Sequence, residues 1–196
     1  MKYLFILILS ATALSLPAQL PDRQVMDAKS GRIINDTSYV YWLPWKNGKS
    51  HLLIQAANSQ MSHKNELSLD FKMKSGTQIY AAREGTVVEV KADSDKGGLQ
   101  EEMLSQGNHI IILQADGSKA KYWHLEKDGV FVKAGEMVVK GQLIGASGNT
   151  GYTAFAHLHF QVIDKYGRQI LTRFYTAKGI IYLRPGKWYR SKHVAA

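Results

Sequence analysis

The chain has 196 residues, a formal charge of +9 and no cysteine. That length suits one domain with a real core rather than two, and 45% hydrophobic against 21% charged residues excludes a disordered chain. The missing cysteines exclude disulfide bracing and a thiol nucleophile, and the basic balance comes without a basic helix or nucleic-acid motif, so nucleic acid is set aside as a partner.

Met1-Lys2 gives a positive start, residues 3–16 are almost wholly apolar, and small residues follow around Pro17-Ala18. This is the layout of a secretory signal peptide over residues 1–18. The apolar run falls short of the roughly 20 residues a spanning helix needs, so no stable membrane anchor is expected after cleavage. Residues 19–37 are polar and without clear periodicity, which reads as a linker or arm. From Tyr39 onward the pattern changes to short strands, predicted at 52–55, 78–81, 86–90, 109–113, 119–125, 142–144 and 157–163. Glu84-Gly85, Asp116-Gly117, Asp128-Gly129, Lys140-Gly141 and Tyr166-Gly167 supply turns between them. Close-set strands with Asp-Gly turns predict an all-β, antiparallel domain over 38–190, followed by a tail at 191–196. The one helix candidate is short, around 99–104.

Histidine placement carries the chemistry. In His157-Leu158-His159-Phe160, strand alternation puts both imidazoles on one face and the two apolar side chains on the other. Two adjacent imidazoles repel if both are charged and are accommodated if a metal holds one neutral. Asp70 alternates with Leu69 and Phe71, so it lies on the polar face of a strand and needs a cationic partner. His63 lies in the loop before it. In Tyr122-Trp123-His124-Leu125, alternation puts Tyr122 and His124 together. A catalytic zinc site takes three N/O ligands and leaves a position for water, and further histidines can move protons. The helical motif His-Glu-x-x-His and the serine-hydrolase motif Gly-x-Ser-x-Gly are both absent.

Several short stretches then occur in a telling order. They are Asp70-Phe71, Gly76-Thr77, Gly107-Asn108, Tyr122-Trp123-His124-Leu125, Gly141-Gln142-Leu143-Ile144-Gly145, Ser147-Gly148-Asn149-Thr150-Gly151 and His157-Leu158-His159-Phe160. Over roughly residues 43–163 the chain resembles the lysostaphin-like, LytM-domain zinc endopeptidases. The resemblance implies an antiparallel sandwich or barrel-sandwich hybrid with few short helices and a groove over the sheet. It implies one zinc ion on His63, Asp70 and His159, with His124 and His157 as catalytic, non-ligand histidines. Tyr122, Asn149 and Thr150 are expected to line the groove. The expected partner is peptidoglycan, the expected setting the periplasm or outer envelope, and the expected state a monomer.

The chain departs from the family pattern in three places. Six residues separate His63 from Asp70 where three are common, leaving His51 as the substitute first ligand. Ala156 stands where proline usually precedes the paired histidines, and Gln55-Ala56-Ala57-Asn58 replaces a glycine-rich stretch. The alternative function is a non-catalytic domain of the same kind that binds peptidoglycan or activates a wall amidase. The basic aromatic run at 184–190 is either a closing strand or a wall-contacting tail.

Overall fold

The computed structural model describes Met26, residues 39–57, Ser59, His63 and residues 66–193. The proposed signal peptide and nearly all of the arm lie outside the described residues. Among the described residues the strands follow in chain order: β1 (Val40–Trp42), β2 (Ser50–Gln55), β3 (Leu69–Lys72), β4 (Gln78–Tyr80), β5 (Gly85–Lys91), β6 (Gly97–Gly98), β7 (Asn108–Leu113) and β8 (Lys119–Val130). They continue with β9 (Met137–Val138), β10 (Leu143–Ser147), β11 (Gly151–Tyr152), β12 (His157–Ile163), β13 (Arg173–Thr176), β14 (Gly179–Ile181) and β15 (Lys187–Arg190). The expected helix is a 3-10 turn at Glu101–Gln106. Among the described residues no helix is long and apolar enough to cross a membrane.

The main sheet runs β15-β2-β3-β12-β8-β7-β5-β9, with β10 joining β8 to β4, and every pairing in it is antiparallel. The fold is thus the expected all-β antiparallel class. A smaller sheet, β1-β13-β14, covers the apolar side, where Phe174 of β13 meets Phe71 and Phe160. The run at 184–190 resolves as a closing strand, since β15 pairs along β2 at the sheet edge. Beyond it Ser191 donates to the Lys46 carbonyl and His193 stacks on Trp42 at 4.4 Å.

The alternation of β12 decides the two faces. Leu158, Phe160 and Val162 are sealed in the core, and His157, His159 and Gln161 take the other side. β3 repeats the division, with Leu69 and Phe71 inward and Asp70 and Lys72 outward. Because cross-strand partners share a face, the pairing His159↔Asp70 sets imidazole beside carboxylate, and His157↔Lys72 sets imidazole beside ammonium. Behind this face Phe160 meets Tyr122 edge-on at 5.2 Å, and Trp45 meets Phe71 at 4.9 Å. Aromatic pairs of this kind add about 0.5–1.5 kcal/mol each beyond their burial, which makes a stiff platform for the polar side.

Candidate metal centre

Four of the seven histidines gather on the polar face around Asp70, which is 6% exposed. Asp70 Oδ2 lies 3.2 Å from His63 Nε2, and Oδ1 lies 2.9 Å from His159 Nδ1 and 3.5 Å from His157 Nε2. Gln55 Nε2 donates to Oδ2 at 3.0 Å and fixes the carboxylate plane from the neighbouring strand. Burial works to raise the Asp70 pKa, but the hydrogen bonds from His157, His159 and His63 hold it far below the usual carboxylate range. Asp70 is therefore a permanent anion in a nearly closed site.

The histidines divide by what holds their second nitrogen. His124 Nδ1 donates to the Thr150 carbonyl at 2.7 Å, and His157 Nδ1 donates to the Phe155 carbonyl at 2.9 Å. A carbonyl only accepts, so both Nδ1 atoms carry a proton; His124 Nε2 is then the free position, while His157 Nε2 faces the Asp70 carboxylate. The two rings sit 4.6 Å apart. Burial first, then the neighbouring His157 and His159, push the His124 pKa down to about 3, so its Nε2 is an unprotonated base. His159 differs, because both of its nitrogens face carboxylates: Nδ1 faces Asp70, and Nε2 faces Glu66 Oε1 at 3.3 Å. Burial opposes charge on His159, but its hydrogen bonds to Asp70 and Glu66 push the pKa up to about 9.

His124 reaches this cluster through a break in its strand. On β8, Trp123 pairs with His109 and Leu125 pairs with Asn108, so His124 is the extra residue of a bulge, with φ +65°. A side chain in the left-handed region is strained, and bulges re-aim side chains beside active sites. Beside it the backbone of Gly151, at φ +85°, packs against Gly107, where a Cβ would sit 2.6 Å from the Gly107 Cα.

The bulge also overturns one expectation. Tyr122 does not share a face with His124. It is 0% exposed in the core, and its hydroxyl accepts from the Ala82 backbone N–H at 2.9 Å. Period-two alternation fails because the bulge inserts one residue. Thr150 is likewise not a groove side chain. Its hydroxyl is buried between Leu125 and Asn108, and only its carbonyl acts on the site, through His124. Asn149 is exposed and accepts from Thr153 Oγ1 at 3.1 Å. His51 lies apart, edge-on to Trp45 and hydrogen-bonded to the Lys72 carbonyl. Sequence patterns single out neither Gln55 nor Glu66 as a member of the site. Glu66 falls within the lengthened spacer between His63 and Asp70, which has no regular period to expose it.

The donor set suits a divalent borderline ion: imidazoles surround one buried carboxylate, and His124 offers an unprotonated Nε2. Two groups, His124-His157-His159 and His63-Glu66-His159, have ligand atoms close enough together to hold an ion, and Asp70 touches members of both.

The model of peptidase family M23 matches residues 64–171. Lysostaphin of Staphylococcus simulans is 39% identical over 93 residues, 47% of this chain and 17% of that protein. The peptidoglycan DD-endopeptidase ShyA of Vibrio cholerae is 35% identical over 101 residues, 52% of this chain and 20% of that protein. The chain therefore spans a fifth or less of the length of either relative. A zinc-containing peptidase structure from Vibrio cholerae shares the fold at TM-score 0.50, with 23% identity over 67% of this chain and 39% of that chain. With more than half of its length matched, the chain belongs to peptidase family M23.

Proposed function

We propose that the chain is an exported zinc endopeptidase that hydrolyses peptide bonds in peptidoglycan stem peptides or cross-bridges. The observation that carries this reading is the convergence of His63, Asp70 and His159 with two more imidazoles, His124 and His157, whose nitrogens lie close to those of His159. His63, Asp70 and His159 would hold one zinc ion. When bound there, zinc supplies Lewis-acid polarisation of a peptide carbonyl and lowers the pKa of a coordinated water.

The remaining chemistry belongs to side chains. His124, unprotonated and backed by the Thr150 carbonyl, is placed to accept a proton at Nε2. His157, backed by the Phe155 carbonyl, is placed to stabilise charge on the attacked carbonyl oxygen or to deliver a proton to the leaving amine. Glu66 acts at one remove. Its carboxylate faces the far nitrogen of His159 and leaves Nδ1 for the site, the carboxylate–histidine arrangement that fixes ring orientation in metal centres. Export follows from the apolar leader read at residues 1–18, and it brings a basic protein among anionic envelope polymers.

The test is digestion of purified sacculi, with the released muropeptides identified by mass spectrometry. Expected is release of peptide-cleaved fragments that a zinc chelator abolishes and added zinc restores. Digestion unaffected by the chelator, or no release beside stimulation of an added amidase, would sink the endopeptidase reading.

A further inference from the structure

On the active face, one strand from His157, stands a cation that the reaction does not use. Lys72 is the cross-strand partner of His157, so both side chains project to the same side. Its Nζ lies 4.1 Å from the centre of the Phe155 ring, and among the described residues it forms no ion pair. Phe155 is 40% exposed, and its ring centre is 5.5 Å from that of His157.

This corner is held in place. The Phe155 carbonyl accepts from both His157 Nδ1 and Thr153 Oγ1, and the Thr153 N–H donates to the Gly98 carbonyl. The aromatic face holds the ammonium by cation–π attraction without neutralising it. A pinned cation with no acid beside it is set to receive an anion, and the chain's +9 charge favours approach of one.

We propose that Lys72 on Phe155 is a subsite for a free carboxylate of the substrate peptide, close to the bond that is cut. This rests on the endopeptidase reading above. Lys72 Nζ is 4.1 Å from the Phe155 ring centre, itself 5.5 Å from that of His157, so the ammonium is at most about 10 Å from the His157 ring, about three residues of an extended peptide at about 3.4 Å each. Stem peptides with free carboxylates are then preferred over the same peptides with carboxamides, and the preference appears in KM.

The experiment compares cross-linked muropeptides with free carboxylates against the same preparation amidated with ammonia and carbodiimide. Wild type, Lys72→Gln, Lys72→Arg and Phe155→Leu are assayed, with zinc content measured for each. Wild type is expected to favour the free acid by about tenfold in kcat/KM, the scale of one charge-assisted contact. Lys72→Gln should erase the preference through a higher KM for the acid, Lys72→Arg should keep most of it, and Phe155→Leu should weaken it. Equal cleavage of acid and amide by wild type, or an undiminished preference in Lys72→Gln, overturns the subsite. If wild type cleaves neither, the hydrolase reading fails instead. Calorimetric binding of the free-acid muropeptide to wild type and Lys72→Gln then decides the subsite by itself, and equal affinity refutes it.

Discussion

Removing the carboxylate behind His159 should loosen zinc while leaving the fold intact. Glu66 Oε1 faces His159 Nε2 at 3.3 Å, and the same oxygen accepts from Ser68 Oγ at 2.6 Å and Gln161 Nε2 at 3.0 Å. Three donors on one oxygen suit an anion and are poorly matched by a neutral amide. Burial opposes the charge of Glu66, yet the hydrogen bond and charge of His159 hold its pKa below the ordinary value, so it is ionised when zinc binds. Loss of a partner to the far nitrogen of a metal-bound histidine typically costs about 10- to 100-fold in metal affinity, about 1.4–2.8 kcal/mol. Glu66→Gln, which keeps an oxygen acceptor, should fall at the lower end, near tenfold. Glu66→Ala should approach a hundredfold, because the ring loses its orienting bond altogether. The assay is competition for zinc against a chromophoric chelator at fixed pH, with thermal melting as the control for folding. Zinc affinity of Glu66→Ala within threefold of wild type would refute the positioning role.

Two other substitutions test separate parts of the account. Tyr122→Phe strips the acceptor from the buried Ala82 N–H and should destabilise the fold by about 1–3 kcal/mol in urea unfolding, with KM unchanged; a raised KM at unchanged stability would return Tyr122 to the groove. Asp116 pairs with Arg83 at 2.7 Å; burial raises its pKa, but hydrogen bonds from Ser118 and Arg83 bring it from the ordinary 3.8 down to about 2. A folded pKa below the unfolded one gives stability that is present above about 4 and lost as pH falls through about 2. Asp116→Asn should therefore melt below wild type at about pH 6, with the gap closing near pH 2; a gap independent of pH would contradict the pairing.

What the sequence discloses follows from where its patterns stay regular. β12 is legible because alternation holds along its whole length, with Leu158, Phe160 and Val162 sealed and the histidines opposite. β3 is legible for the same reason. β8 misleads because regular alternation assumes no inserted residue, and the bulge at His124 adds one just where the site needs it. Glu66 stays hidden because it lies in an irregular spacer, where distance along the chain says nothing about reach to a histidine far later in the sequence. The contact of Lys72 with Phe155 depends on the pairing of β3 with β12, which local patterns do not encode. Thr150 stands out in the sequence for its side chain, yet it is its main-chain oxygen that holds His124.

Metal content by plasma mass spectrometry, on wild type and single variants dialysed against the same zinc buffer, separates ligands from proton-handling groups most directly. One zinc per chain is expected in wild type and in His124→Ala, the latter without turnover, and close to none in His159→Ala or Asp70→Asn. Full zinc in His159→Ala, or its loss from His124→Ala, would contradict the division of roles.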